Sequence, residues 1–184
     1  MSDNLKLWDS VEKTNPAHTK KVTFGRAITA IDPYHQIKNA TAQFGPAGEG
    51  WGWSVVDTKF LPTNEVACLV RLWHGDPSRY IEQWGQNGLY IDNKEEKKDT
   101  DCMKKCVTDG LTKCLSTLGF NADVFLGKFD DSKYVQQMKE EFAVPAELTD
   151  IDKEWITSIK LDAVVLEQIN DLDYRSFIKA ECKK

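Results

Sequence analysis

Between residues 100 and 118, apolar side chains recur at Met103, Cys106, Val107, Gly110, Leu111, Cys114, Leu115 and Leu118. The steps of three and four place all of them on one face of a helix, and a helix with such a stripe must bury it against another element. The chain just before it supplies that element. Residues 45–52 hold four glycines and one proline, a turn that feeds residues 51–56, where large apolar residues alternate with small ones. A second run rich in β-formers spans 65–73, and a third, 79–84, follows the turn His74-Gly75-Asp76-Pro77. Three sequential strands with short connections predict an antiparallel meander. Gly110, in the middle of the helical stripe, would let the helix backbone come close to that sheet, at a propensity cost of about 1 kcal/mol.

The expected fold class is therefore α+β: an antiparallel meander of about three strands on a long amphipathic helix, with an earlier helix and small helices at the C-terminus. The earlier helix starts at Asp32-Pro33, where the carboxylate caps orphan amides and proline fits the first turn. It should end at Gly45-Pro46. Residues 1–20 read as an N-terminal arm with a short apolar cluster at Leu5, Leu7, Trp8 and Val11, residues 21–135 as the core domain, and 136–184 as an acidic helical appendage. The stretch 87–100 reads as a mobile loop whose Lys94, Lys97 and Lys98 alternate with Glu95, Glu96 and Asp99, which makes it a solvated tip. Residues 120–134 read as a closing loop or short strand, and Pro145 as a break. Beyond it, Trp155, Ile156, Ile159, Leu161, Val164, Val165, Ile169, Tyr174, Phe177 and Ile178 are spaced for two or three short amphipathic helices.

The chain of 184 residues has room for one substantial core. No apolar run reaches the roughly 18 residues of a membrane span, and the polar N-terminus has no signal pattern. These features predict a soluble cytoplasmic protein without a membrane partner; for a phage-encoded chain the compartment is the bacterial host cytoplasm. The five cysteines, Cys68, Cys102, Cys106, Cys114 and Cys182, are odd in number and predict reduced thiols. Cys102, Cys106 and Cys114 share a helical face, but structural zinc sites use tight turns with short spacings, so core thiols are expected and no metal. The net charge is −5. Its distribution is uneven: residues 1–129 carry 16 basic and 16 acidic side chains, and residues 130–184 carry 8 and 13. The first two thirds can thus hold a local basic groove.

Opposite its apolar stripe the long helix presents Lys104, Lys105, Thr108, Thr112, Lys113, Ser116 and Thr117, cations and hydroxyl donors suited to phosphate oxygens. The ordinary fate of such residues is to solvate a helix face. Trp51, Trp53, Trp73 and Trp84 could stack on bases, but their strand spacing favours packing in the core or between subunits. Asp123, Asp130 and Asp131 raise the alternative of a metal-dependent nuclease, which would need carboxylates converging from several elements rather than one loop. The acidic C-terminal third fits a further alternative, a phage protein-protein interaction module.

The segment Cys106-Val107-Thr108-Asp109-Gly110-Leu111-Thr112-Lys113-Cys114-Leu115-Ser116-Thr117-Leu118-Gly119, followed by Asp130-Asp131-Ser132-Lys133-Tyr134, resembles the signature helix of the Rad-fifty-two superfamily of single-strand annealing proteins. The Ile31-Asp32-Pro33 helix start, the Phe44-Gly45 and Gly48-Glu49-Gly50-Trp51 turn, the 66–72 strand with Arg71 inside it and the 80–85 strand are similar to the short phage versions, in the same order. The resemblance covers roughly residues 30–134. It implies a β-β-β-α core assembling side by side into a homo-oligomeric ring or helical filament, with single-stranded DNA in an outer groove. It implies ATP-independent annealing of complementary strands in recombination and repair, without cofactor or bond-making chemistry. The DNA-binding residues it selects are Lys113, Thr112, Ser116, Lys105 and Lys104 on the long helix, His35 and Lys38 on the earlier one, and Arg71. Family members carry basic side chains where this chain has Thr112 and Ser116, and an arginine where it has His35. A single-strand binding protein is the partner expected for the C-terminal part.

Overall fold

The computed structural model describes residues 3–23, 27–92, 94–143 and 148–183, so the break expected at Pro145 lies outside the described residues. The chain divides into two compact units, Met1–Thr14 with His18–Gly127 and Asn15–Ala17 with Lys128–Lys184.

In the first unit the elements follow as α1 (Lys6–Val11), β1 (Thr19–Val22), β2 (Ile28–Ile31), α2 (Pro33–Phe44), β3 (Trp51–Leu61), β4 (Glu65–His74), β5 (Tyr80–Gly88), α3 (Cys102–Thr117) and α4 (Ala122–Phe125). The fold class is α+β as the sequence predicts: β3, β4 and β5 form an antiparallel meander in that order, and α3 packs on β4 and β5. Asp32 caps α2 through its carboxylate, which accepts the Tyr34 N–H at 2.9 Å. Gly45 ends the helix with φ 90°, a conformation side chains rarely adopt, while its N–H bonds the Thr41 carbonyl.

Strand alternation divides the meander into two faces. Val66, Cys68, Val70 and Leu72 of β4 are fully buried and pack with Cys106, Leu111, Cys114 and Leu115 of α3. Gly85 and Gly110 make that approach possible. A Cβ on Gly85 would lie 2.0 Å from the Cys106 carbonyl oxygen, and one on Gly110 would lie 2.6 Å from Val70 Cγ2. The thiols of Cys106 and Cys114 donate to strand carbonyls, Cys106 to Gly85 at 3.2 Å and Cys114 to Val70 at 3.5 Å. Burial pushes Cys106 up to about 12 and Cys114 up to about 11, so both stay neutral. All five cysteines are free.

Several expectations change. The strands run longer than predicted, and β5 absorbs Asn87-Gly88, which the sequence suggests as loop; pairing of Val66 with Asn87 and Glu65 with Gly88 extends the ladder. The ribbon formed by β1 and β2 was not foreseen. Of residues 1–20, expected as an arm, residues 1–14 and 18–20 group with this unit. Val11 is buried, its carbonyl accepts the Asn121 N–H, and Trp8 packs on Gly119. A buried clasp holds the segment: the Asp123 carboxylate accepts the Thr14 N–H at 2.9 Å and the Thr14 hydroxyl at 2.5 Å, and Asn121 Nδ2 donates to that hydroxyl at 2.9 Å.

Helices make up the second unit: α5 (Ser132–Glu141), α6 (Asp150–Leu161), a 3-10 turn (Ala163–Gln168) and α7 (Leu172–Glu181). Residues 120–134, predicted as loop or strand, instead contain α4 and the start of α5. The local reasons are the positive φ of Gly119 and Asn121, and Asp131, whose carboxylate caps α5 by accepting the Lys133 N–H. A small core gathers Ile159, Ile169 and Ile178. Beside it Tyr174 donates to the buried Asp152, which also closes a capping box with Thr149. Burial pushes Asp152 up, but the hydrogen bonds from Tyr174 and Thr149 outweigh it and hold the carboxyl below its usual range. Burial and the same contact push Tyr174 up to about 12.

Candidate nucleic-acid interface

The entry to α3 is organised by Asp99, which is buried and accepts from the Asp101 N–H at 3.0 Å, Asn87 Nδ2 at 3.3 Å and Lys105 Nζ at 2.6 Å. The lysine contact holds Asp99 below the usual carboxylate range and raises Lys105 in turn. Lys104 is likewise raised by its hydrogen bond to Asp101, at 2.9 Å. Both ammonium groups are exposed and fully charged. Each also has a carboxylate in hand, which lowers the net field a phosphate would meet.

Eight residues beyond Lys105, about 12 Å along the helix, Lys113 pairs with Asp109 at 2.7 Å. The pair also touches the outer edge of β5: Lys113 Nζ donates to the Trp84 carbonyl at 3.2 Å, and Asp109 accepts the Gln86 N–H at 2.9 Å. Thr112 sits half-buried beside it, and the Ser116 hydroxyl donates to the Lys113 carbonyl at 2.8 Å. Lys113, Thr112 and Ser116 therefore share one turn of surface, with Lys113 also closing part of a strand edge that would otherwise be open to pairing.

The other residues selected from the sequence lie elsewhere on the unit. Arg71 is on the sheet face turned away from α3, where its Nε and Nη2 both donate to Glu82 Oε1, at 2.8 and 2.6 Å. His35 of α2 is buried and stacks on His18 with ring centroids 3.7 Å apart, while Lys38 is exposed. The eight candidates thus fall in four places, and Arg71 lies on the opposite face of the sheet from those of α3. Asp123 is occupied by the Thr14 clasp and Asp131 by the α5 cap. Lys94, Lys97 and Lys98 are exposed.

Sequence reasoning weighed Trp84 as a stacking ring and favoured packing for it, and it did not single out Tyr80 or the sheet face that α3 leaves open. Trp51 is fully buried, as packing predicts, but Trp84 and Tyr80 are 39% and 49% exposed, with Lys59 and Arg71 riding over their rings. The signal was present: Trp84 and Tyr80 share a parity on β5 opposite to that of Gly85, the residue that meets the helix. No described helix is long and apolar enough to cross a membrane. No protein-family model matches this chain, and no curated protein shows significant similarity to its sequence.

Proposed function

We propose that this protein binds single-stranded DNA and pairs it with its complement, without ATP, as a homo-oligomeric recombination protein. The observation that carries the reading is the setting of segment 106–119, on which the resemblance rests. It forms the helix of a β-β-β-α core, with Gly110 pressed against Gly85, the architecture that the resemblance implies. Fold likeness is an analogy, so the site must bear weight too. Lys104, Lys105 and Lys113 give α3 three exposed or half-exposed cations, a surface suited to phosphate without sequence preference.

The two edges of the sheet support side-by-side assembly. Among the described residues no strand pairs with the outer edge of β3, which runs for eleven residues and leaves Trp53, Val55, Val56 and Phe60 exposed. A long apolar edge of this kind is a template for association. The β5 edge is partly closed by Asp109 and Lys113.

Mixing complementary oligonucleotides with the purified protein tests the proposal. Pairing should accelerate without ATP or magnesium, single strands should bind more tightly than blunt duplex, and negative-stain images should contain rings or filaments. Equal or tighter duplex binding with no acceleration would sink it, and magnesium-dependent cleavage would move the assignment to a nuclease.

A further inference from the structure

We infer that the sheet face turned away from α3 is a stacking surface for the bases of a single-stranded nucleic acid, with Tyr80 and Trp84 as its platforms. The inference rests on the single-strand reading above and gives it a site that the α3 lysines do not supply. The two rings are four positions apart on β5, so they point to the same side and stand about 13 Å apart along the strand. That is the rise of about four stacked nucleotides at roughly 3.4 Å each. One strand running along β5 can meet both.

Each ring carries a cation. The Arg71 guanidinium lies 3.9 Å from the Tyr80 ring centroid, and Lys59 Nζ lies 4.8 Å from that of Trp84. A ring has two faces, and with one occupied by a cation Tyr80 is still 49% and Trp84 39% exposed, which leaves surface for a base. Between the strands Trp73 lies against Gly52, where a Cβ would come within 3.0 Å of the indole. The bare glycine lets that indole settle low on the sheet.

The cations decide between a nucleic acid and an apolar protein surface. An apolar partner would have to bury two ion pairs, whose desolvation their own attraction only partly offsets, whereas a single strand stacked on the two rings leaves both pairs in contact with water. Glu82 bonds Arg71 and Asp57 lies 3.5 Å from Lys59, so the face has little net charge. Stacking, not phosphate neutralisation, then carries most of the affinity, and the salt dependence is shallow.

The test is fluorescence anisotropy of a labelled oligodeoxythymidine with the full chain, comparing the parent, Tyr80→Ala/Trp84→Ala, Tyr80→Phe/Trp84→Phe and Lys113→Glu. The alanine pair should weaken binding about tenfold or more, because two stacked bases are lost. The phenylalanine pair should stay within about twofold, since it keeps both π-faces. Equal loss in the two pairs overturns the inference, as does parent-like binding by the alanine pair. In that second case, loss with Lys113→Glu leaves the single-strand reading standing on the helix. A parent that does not bind the oligonucleotide overturns both. Should the alanine pair fail to fold, photocrosslinking of a bromodeoxyuridine oligonucleotide to the parent decides: adducts within residues 80–84 support the inference, and adducts confined to α2 or α3 overturn it.

Discussion

Strand β4 contributes to both faces of the meander, and its alternate residues live in different environments. Val66, Cys68, Val70 and Leu72 are fully buried under α3, while Leu69, Arg71 and Trp73, on the other side, remain partly exposed. Both faces are rich in apolar or aromatic groups, so hydrophobicity does not separate them. What separates them is backbone access. Gly85 and Gly110 let α3 sit almost on the sheet, and the parity of Gly85 therefore selects which side of β4 and β5 the helix covers. The covered face holds the stability of the unit, and the open face is free to carry side chains chosen for something else.

The largest expected effect falls on that glycine contact. In Gly85→Ala the new methyl would lie 2.0 Å from the Cys106 carbonyl oxygen and 2.5 Å from the Gly110 nitrogen. Both are backbone atoms that cannot rotate away, so the helix must lift, at a cost of about 3 kcal/mol or more. Gly110→Ala meets Val70 Cγ2 at 2.6 Å, which can turn, and Val70 Cβ and the Gly85 nitrogen only at 3.0 and 3.2 Å, and it regains about 1 kcal/mol of helix propensity. Urea unfolding of both variants should therefore rank Gly85→Ala well below Gly110→Ala. A Gly85→Ala protein as stable as the parent would break the contrast between the faces at its source.

How far this could be read in advance depends on the range of the forces involved. The Asp32-Pro33 start of α2, the three β-rich runs and the apolar stripe of α3 are local or periodic patterns, and the folded elements follow them. The β1 and β2 ribbon escaped because Thr19–Val22 and Ile28–Ile31 are four residues each, too short for alternation to register. Helix α5 escaped because only Met138 of its ten residues is buried, which leaves little stripe to detect. In the acidic C-terminal third, Asp131, Asp152, Asp162 and Asp171 accept backbone N–H groups at helix starts or close a capping box there, a use of carboxylates that composition does not reveal. In the candidate site, the Lys113 partner Asp109 is legible as an i, i+4 pair. The Asp99 contact of Lys105 requires knowing how the loop returns to the helix, and the exposure of Tyr80 and Trp84 requires knowing which parity α3 covers.

A smaller effect sharpens the comparison by holding chemistry constant. Leu72→Ala and Leu69→Ala remove the same atoms from one strand, three residues apart. Leu72 is fully buried on the covered face, so its truncation should leave a cavity and cost about 2–5 kcal/mol. Leu69, partly exposed on the open face, should cost about 1 kcal/mol or less. Equal shifts in the urea midpoint would mean that the open face is packed against something in solution, and the protein-concentration dependence of the Leu69→Ala midpoint would tell whether that is a second copy.

The smallest expected effect belongs to Arg71, and it measures how open the open face is. Its guanidinium donates twice to Glu82 Oε1 and lies over the Tyr80 ring, with side chains of Arg71 and Glu82 still 35% and 30% exposed. In Arg71→Lys the charge survives, but the planar group that both stacks and bonds is lost. If water screens the pair, the loss should be about 0.5–1 kcal/mol, the range of exposed ion pairs and surface cation–π contacts. A double-mutant cycle of Arg71→Lys with Glu82→Gln isolates their coupling, which on this view is also about 0.5–1 kcal/mol. Added salt should weaken it further, because screening acts on charges that water reaches. A coupling of about 2 kcal/mol or more that salt leaves unchanged would place Arg71 in a dry environment. The two faces of the sheet would then differ in what covers them rather than in whether they are covered.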